Sequence, residues 1–171
     1  SKERLESFSY EVSRAPRNSP ATFLETLVNN DIAALNDLKN SISSEAIEQA
    51  VTLLQEAETI YVLGQLRSFS VAYNIRYLLL YLRQNVRLLD GSGGLATEEA
   101  ELMSEKSLLV AVSFRYYARE VVDIVEGTAR KNIPILAITD SQLSPLNKHA
   151  TCSLVVPGAG HKFSYSCLLY T

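Results

Sequence analysis

The amino-acid sequence predicts a three-layer α/β sandwich around a sheet of about five parallel strands. From residue 59 onward the apolar runs are continuous rather than alternating, which is typical of parallel strands buried on both faces. Helical patterns separate these runs, and a strand recurs about every 25 residues, as right-handed strand–helix–strand crossovers require. The predicted strands are residues 59–63, 86–90, 107–113, 134–139 and 152–156. The predicted helices between and after them are residues 68–84, 95–104, 118–132 and one from about 162.

The composition is that of one globular domain with an acidic charge balance. The chain has 171 residues, of which 47% are hydrophobic and 20% charged, and its formal net charge is −3. This amount of apolar surface is enough for one core. A dedicated nucleic-acid surface is normally basic, so we expect no direct DNA binding by this chain.

Cysteine use and hydropathy indicate a reducing compartment. Cys152 and Cys167 lie in apolar surroundings without a CxxC spacing, which favours buried free thiols over a disulfide or a metal site. No signal-peptide pattern occurs, and no apolar run reaches the roughly 18 residues of a membrane span. The apolar run at 78–82 lies between arginines and is predicted to belong to a buried helix. We therefore expect a cytoplasmic protein that does not contact membranes.

Two helices are predicted ahead of the first strand, after a linker. Residues 1–20, with Pro16 and Pro20, are predicted to be the end of a helix followed by a linker. Apolar residues at helical spacing predict a helix over residues 21–40, and Ser44 is the predicted N-cap of the next helix. The predicted buried stripe of that second helix is Ile47, Ala50, Val51 and Leu54. The sequence ends in an apolar segment, residues 166–171, from which we expect further chain or a partner surface.

One unit occurs twice in the sequence: a buried strand, a polar turn that carries a serine, and a helix. The turns are residues 64–68 and 113–117. In a parallel sheet both turns lie at the carboxyl ends of strands, and they face each other across a crevice if the strand order reverses between them. Free N–H groups and the helix dipole favour anions at such helix N-termini. The pattern therefore predicts a site for a small anionic molecule.

Each turn offers candidate residues with a structural alternative. Gly64 allows a tight backbone path in the first turn. Ser68 is either the N-cap of the following helix or a ligand contact. Arg67 is either a phosphate-binding guanidinium or a solvated surface side chain.

The second turn is denser in bulky polar groups than a simple connector requires. Residues 113–120 contain a serine, two tyrosines and two arginines. Arg115 and Arg119 either bind an anion or pair with Glu120, Asp123 or a neighbouring subunit.

Other polar residues give no catalytic or metal-binding pattern. His149 and His161 have no Cys, His or carboxylate partner at ligand spacing, so we expect neither a metal site nor a cofactor. No Ser-His-Asp order, P-loop or GxGxxG is present. Ser144 before Pro145 has the pattern of a helix N-cap, and Asp140 is the alternative cap of that turn.

Four segments carry a family resemblance. They are GQLRSFSVA at 64–72, RLLDG at 87–91, SFRYYARE at 113–120 and AITDSQLSPL at 137–146. At these segments the chain resembles the sugar isomerase (SIS) domain of RpiR-type bacterial transcription regulators, over about residues 21–160. The resemblance implies a flavodoxin-like fold with strand order 2-1-3-4-5 and a homodimer or tetramer. In such regulators an N-terminal helix-turn-helix domain binds DNA, so residues 21–171 look like the effector-binding domain alone, after a linker at 1–20.

Both turns depart from the usual family motifs. In the first motif, G-x-G-x-S, Leu66 replaces the second glycine, whereas Ser68 matches the phosphate-contacting serine. In the second, S-x-S-G-x-T-x-E, Ser113 and Glu120 match. The second serine, the glycine and the threonine are replaced by Arg115, Tyr116 and Ala118. The pattern resembles a subgroup with SFR-x-Y-x-RE here. Either the new arginine binds the anion directly, or the tyrosines fill the pocket and the domain serves dimerisation only.

We therefore expect an effector-sensing domain rather than an enzyme. A phosphorylated sugar or a similar anionic metabolite, such as a sugar acid, would shift a dimer between two arrangements. The shift would reposition attached DNA-binding domains, the only part that contacts DNA. One alternative is a dimerisation scaffold, and another is a sugar-phosphate isomerase with Glu120 or His161 as base. The predicted ligand-binding residues are Gly64, Gln65, Arg67, Ser68, Ser113, Arg115, Tyr116, Arg119 and Glu120.

Overall fold

The computed structural model describes residues 20–115 and 117–156. Two helices, α1 (Pro20–Ser41) and α2 (Ser44–Glu56), precede the sheet. The strands are β1 (Thr59–Gly64), β2 (Val86–Leu89), β3 (Ser107–Ser113), β4 (Ile135–Thr139) and β5 (Cys152–Val155). They are connected by α3 (Ser68–Tyr81), α4 (Ala96–Glu101) and α5 (Arg119–Arg130), and by short 3-10 turns at Ser92–Gly94 and Pro145–Lys148.

The five strands are all parallel and lie in the order β2-β1-β3-β4-β5, which confirms the predicted fold class. The chain runs from β1 outward to β2 and then returns past β1 to β3, so the strand order reverses between β1 and β3. At this switch point Gly64 pairs with Val112, and one strand further along Ser113 pairs with Thr139. The turns that follow β1 and β3 therefore lie side by side at the carboxyl edge of the sheet.

Each face of the sheet has its own apolar core. On one face Leu63 packs in a cluster with Val125 of α5. On the other face Val62 packs with Ala50 of α2 and Ala72 of α3. Successive strand residues point to opposite faces, and both faces are covered, so the middle positions of the inner strands are apolar and the polar residues lie at the strand ends. This arrangement explains the continuous apolar runs of the sequence.

The structure corrects several predicted element ends. Ser43, not Ser44, caps α2, because its Oγ accepts a hydrogen bond from the backbone N–H of Ala46 at 3.2 Å. Helix α3 ends at Tyr81 rather than at residue 84, and Arg83 just beyond it has a left-handed φ of +59°. Other ends differ from prediction by a few residues, whereas the pairing of an N-cap serine with a proline at the 145–148 turn is confirmed.

Two predicted buried stripes are only partly buried. In α2, Ala50 is buried as predicted, but Ile47 and Val51 are exposed. In the apolar run at 78–82, only Leu79 is buried, and Tyr81 is 79% exposed, so the prediction of a buried helix there is wrong. Periodicity identifies an apolar face, but it does not say whether the same chain covers that face.

Some predictions concern residues that the structure does not describe. The linker up to residue 19, Tyr116, His161, Cys167 and the helix from about 162 lie outside the described residues. Cys152 is described, and it is a buried free cysteine as predicted. Burial raises the pKa of its thiol above the ordinary value.

Candidate functional site

The two predicted turns meet at the carboxyl edge of the sheet. We refer to them as the β1–α3 turn (residues 64–68) and the β3–α5 turn (residues 113–118). The side-chain amide nitrogen of Gln65 in the first turn donates a hydrogen bond to the carboxylate of Glu120, at the start of α5. These residues are 55 positions apart in the sequence, so only the reversal of strand order brings them together. The predicted juxtaposition of the two turns is therefore present.

Gly64 lies where α3 begins against β1. A Cβ atom at this position would lie 2.6 Å from the backbone oxygen of Ser68 and 2.8 Å from Cβ of Ala72. The oxygen belongs to the helix backbone and has little freedom to move away. Only glycine therefore allows α3 to start this close to the strand, and this close approach places Ser68 beside the sheet edge.

Leu66 stands where the usual motif has its second glycine, and it keeps a glycine-like conformation. Its φ is +57°, in the left-handed region, and its side chain is 62% exposed. The turn is closed by hydrogen bonds from the Ser68 N–H to the Gln65 carbonyl at 3.0 Å and from the Phe69 N–H to the Leu66 carbonyl at 3.3 Å. The departure from the motif thus puts an L-residue in a backbone conformation that favours glycine.

We expect Leu66→Gly to raise the free energy of unfolding by about 1 kcal/mol, because glycine removes the cost of a left-handed L-residue. Urea unfolding followed by circular dichroism measures this change. Leu95→Gly is the matched control, since Leu95 is also exposed but has a φ of −96°. The control is expected to lose stability. If both variants lose stability, the left-handed backbone of Leu66 does not carry the expected free-energy cost.

Ser68 is the first residue of α3, so the interpretation of Ser68 as an N-cap is wrong. Arg67 holds the N-cap position, and it makes no side-chain capping bond. Ser68 is 4% exposed, whereas Arg67 is exposed. The buried hydroxyl of Ser68 is therefore not the N-cap of α3. The ligand-contact alternative for Ser68 stays a prediction.

The β3–α5 turn is held by Asp140, a residue that sequence analysis assigned to a different turn. Asp140 directly follows β4, and its Oδ2 accepts a hydrogen bond from the Arg115 backbone N–H at 3.0 Å. Its Oδ1 accepts a hydrogen bond from the Tyr117 hydroxyl at 3.0 Å. The cap of the 145–148 turn is Ser144 instead, whose Oγ accepts from the Leu146 N–H. The predicted cap is therefore confirmed, and the alternative, Asp140 as the cap of that turn, is wrong.

The environment of Tyr117 raises the pKa of its phenol. Burial is the largest cause, and the hydrogen bond to Asp140 raises it further, against a lowering effect of the Ser144 and Thr139 hydroxyls. Below about pH 10 the phenol is neutral in both the folded and the unfolded chain, so its contribution to stability is complete. Above that pH the unfolded chain loses its proton first, and the contribution is lost as the pH rises through the folded-state pKa.

We expect Tyr117→Phe to lower the free energy of unfolding by about 1 kcal/mol near neutral pH, because one hydrogen bond to a carboxylate is lost. The difference from the wild type is expected to shrink as the pH rises above about 10, because the wild type then loses the contribution of the neutral phenol. Urea midpoints at neutral and alkaline pH test this. Tyr77→Phe is the control, because Tyr77 is exposed. This variant keeps Tyr117, so its stability should fall at alkaline pH as that of the wild type does. A difference that does not depend on pH would contradict the prediction.

The two arginines of the second motif behave differently. Arg119 has a side chain that is 92% exposed, and its Nε lies 3.4 Å from the Asp123 carboxylate, one helical turn along α5. This is one of the alternatives that the sequence left open. Arg115 is exposed and lies in the turn itself, anchored through its backbone to Asp140. Of the two, Arg115 is the one that lies within the β3–α5 turn, whereas Arg119 belongs to α5.

The edge of the sheet around the turns combines both charges with buried hydroxyls. Arg67 and Arg115 provide positive charge, whereas the carboxylates of Glu120 and Asp140 are already hydrogen-bonded. Ser68, Ser113 and Thr139 carry hydroxyls and are 4%, 4% and 0% exposed. Guanidinium and hydroxyl donors suit an anion, and carboxylates suit the hydroxyls of a sugar. Tyr116, the ninth predicted ligand residue, lies outside the described residues.

Other site types find no support in the described part of the chain. Within residues 20–115 and 117–156, no group of three or more His, Cys, Asp or Glu residues could hold a metal ion. Over the same ranges, no helix combines the length and the apolar character that crossing a bilayer requires. A cavity of about 330 Å³ lies at the opposite, amino edge of the sheet, lined among others by Glu58, Lys106 and Pro134.

Comparison with known proteins identifies the family. The SIS domain family matches residues 53–171, more than half of the chain, so this chain belongs to the SIS domain family. The sugar isomerase domain of an RpiR transcription factor from Sphaerobacter thermophilus has a TM-score of 0.78 and 31% identity, covering 85% of this chain and 82% of that one. The Vibrio vulnificus NanR protein, complexed with ManNAc-6P, has a TM-score of 0.76 and 19% identity, covering 95% and 60%. At that identity, the second likeness shows the fold alone.

The curated relatives are much longer than this chain. The bifunctional protein glk of Burkholderia thailandensis is 27% identical over 129 residues, which are 75% of this chain and 20% of that protein. This chain thus spans about a fifth of the length of the curated relatives that it matches.

Proposed function

We propose that this chain is the effector-sensing domain of an RpiR-type transcription regulator and binds a sugar phosphate or a similar anionic sugar. The observation that carries the proposal is the contact between Gln65 and Glu120, which joins the two turns at the switch point of the sheet. Ligands of open α/β sheets bind at this place. Arg67 and Arg115 supply positive charge there, and Ser68 supplies a buried hydroxyl.

The relatives support the regulatory role. The RpiR transcription factor domain is similar over most of both chains, and the NanR protein was crystallised with a sugar phosphate. In this proposal, DNA is bound by a helix-turn-helix domain outside the given sequence, and the effector changes its affinity through the SIS domain. In this proposal the chain belongs to a subgroup of these regulators with an SFR-x-Y-x-RE motif, which residues 113–120 match.

The proposed assembly is a homodimer or tetramer of this domain. The outer face of α3 carries Phe69, Tyr73, Tyr77 and Tyr81 at a spacing of four residues, and all four rings are exposed. The rings contact one another in pairs, with centroids 6.2 and 5.6 Å apart. A helix that is apolar on its outer as well as its inner face is usually covered on both. Sedimentation equilibrium tests this: a chain that stays monomeric at all concentrations would argue against the assembly.

The proposed function does not include isomerase activity. One carboxylate oxygen of Glu120 is used to hold the two turns together, whereas a general base must be available to the substrate carbon. We expect no conversion of fructose 6-phosphate or arabinose 5-phosphate. If the chain converts either sugar and Glu120→Gln abolishes that conversion, the domain is an enzyme rather than a sensor.

A thermal-shift screen against phosphorylated sugars, sugar acids and inorganic phosphate tests the proposed function. A ligand that binds only the folded chain stabilises it by about 2.7 kcal/mol at a hundred times its dissociation constant. We expect at least one sugar phosphate to raise the melting temperature. Ser68→Ala should reduce this shift, whereas Ser153→Ala, in the edge strand β5, should leave it unchanged. No hit in the panel, from a chain that still forms a dimer, would favour the dimerisation scaffold.

A further inference from the structure

The carboxylate of Asp140 is bound by the β3–α5 turn in the way that such a turn binds an anion. Its two oxygens accept one hydrogen bond from the Arg115 backbone N–H and one from the Tyr117 hydroxyl, both at 3.0 Å. The interaction crosses between neighbouring strands, because Asp140 follows β4 whereas the turn follows β3. Backbone N–H groups of a turn that leads into a helix are the usual donors to bound anions in this kind of fold.

The β1–α3 turn differs in this respect. Among the described residues, no carboxylate accepts a backbone N–H of that turn, and Glu120 is bound there by the Gln65 side chain instead. The same turn carries the exposed Arg67 and the buried hydroxyl of Ser68. The β3–α5 turn thus holds a carboxylate of the chain on a backbone N–H, whereas within residues 20–115 and 117–156 no carboxylate is bound in that way by the β1–α3 turn.

We propose that Asp140 occupies the anion position of the β3–α5 turn and so directs the anionic group of the effector to Arg67 and Ser68 in the β1–α3 turn. The direction of the effector rests on the function proposed above, whereas the occupation by Asp140 does not. An anion placed about 4 Å from the Asp140 charge would be disfavoured by roughly a thousandfold at the effective dielectric of a protein surface. Asp140 is therefore a positioning and specificity-determining residue of the effector site.

Chemical rescue by formate tests the occupation by Asp140. In Asp140→Ala the Arg115 N–H loses its acceptor, so we expect its hydrogen exchange, followed by NMR, to accelerate about ten- to a hundredfold. Sodium formate supplies a carboxylate and should slow that exchange again, whereas sodium chloride at equal ionic strength should not. Asp90→Ala is the matched control, because Asp90 also accepts a backbone N–H, from Ser92, after β2. Unchanged exchange at Arg115, or no difference between formate and chloride, would overturn the occupation.

Calorimetric titration with inorganic phosphate tests the direction of the effector. Asp140→Asn keeps a neutral acceptor of the same size, which protects the fold if the alanine variant unfolds. We expect the asparagine variant to bind phosphate at least about tenfold more tightly than the wild type, because the second turn loses its negative charge. Unchanged or weaker binding would overturn this part of the proposal. If neither the wild type nor the variant binds phosphate, the result counts against the proposed function. The formate experiment would still test the occupation by Asp140 independently.

Discussion

Gly64→Val is expected to destabilise the domain by roughly 3–5 kcal/mol, enough to unfold much of the chain. The added Cβ would lie 2.6 Å from the backbone oxygen of Ser68, and relief requires α3 to move away from β1. Because β1 lies between β2 and β3, such a movement also disturbs the α3 side of the apolar core. Urea unfolding and the near-ultraviolet circular dichroism spectrum measure the loss.

Gly127→Ala is the matched control for this substitution. Its Cβ would meet nothing closer than a guanidinium nitrogen of Arg130 at 3.7 Å, in the interior of α5. Alanine favours a helix over glycine by about 0.5–1 kcal/mol, so this variant is expected to be more stable than the wild type. A Gly64→Val chain with an unchanged urea midpoint would show that the close approach of α3 to β1 is not required.

Arg67→Glu is expected to weaken binding of a sugar phosphate by about a hundredfold, because the substitution replaces an attractive charge beside the anion with a repulsive one. Arg67 is exposed at the N-cap of α3, so the melting temperature of the free domain should change little. Isothermal titration of a hit from the thermal-shift screen measures the affinity, at low salt to limit screening.

Arg130→Glu provides the control for net charge. Arg130 is the last residue of α5, which runs back from the carboxyl edge of the sheet, so it lies at the opposite end from the two turns. This variant has the same net charge as Arg67→Glu but should keep nearly full affinity. If both variants weaken binding equally, the arginine at the turn has no specific role.

The sheet was predictable from the sequence because its signal is local. Each inner strand is buried on both faces, so residues such as Val62 and Leu63 give an unbroken apolar run. The two turns were also predictable, since a glycine or serine after such a run marks the carboxyl end of a strand. The N-cap of α2 was misplaced by one residue because Ser43 and Ser44 are both able to cap, and only the geometry of the Ala46 N–H decides between them.

The contacts that organise the site were not predictable in the same way. Asp140 and Arg115 are 25 positions apart and meet only because β4 lies beside β3. An aspartate after a strand is more common as a local cap, and nothing in its neighbourhood indicated another turn as its partner. The i,i+4 pair of Arg119 with Asp123, by contrast, was foreseen as an alternative because helical spacing alone brings the two together. The apolar run that contains Tyr81 was predicted to be buried but is exposed. An apolar pattern alone does not tell whether the same chain or another chain covers the surface.

The most direct test of the account is a map of amide chemical shifts of the ¹⁵N-labelled chain during titration with inorganic phosphate. We expect the largest changes at residues 64–68 and smaller ones at the β3–α5 turn, and we expect Ser68→Ala to reduce them. If the largest changes instead fall at the amino edge of the sheet, around Lys106 and Pro134 of the separate cavity, the proposed location of the site is contradicted. In that case the anion would bind at the wrong end of the strands, and the two turns at the switch point would not be the effector site.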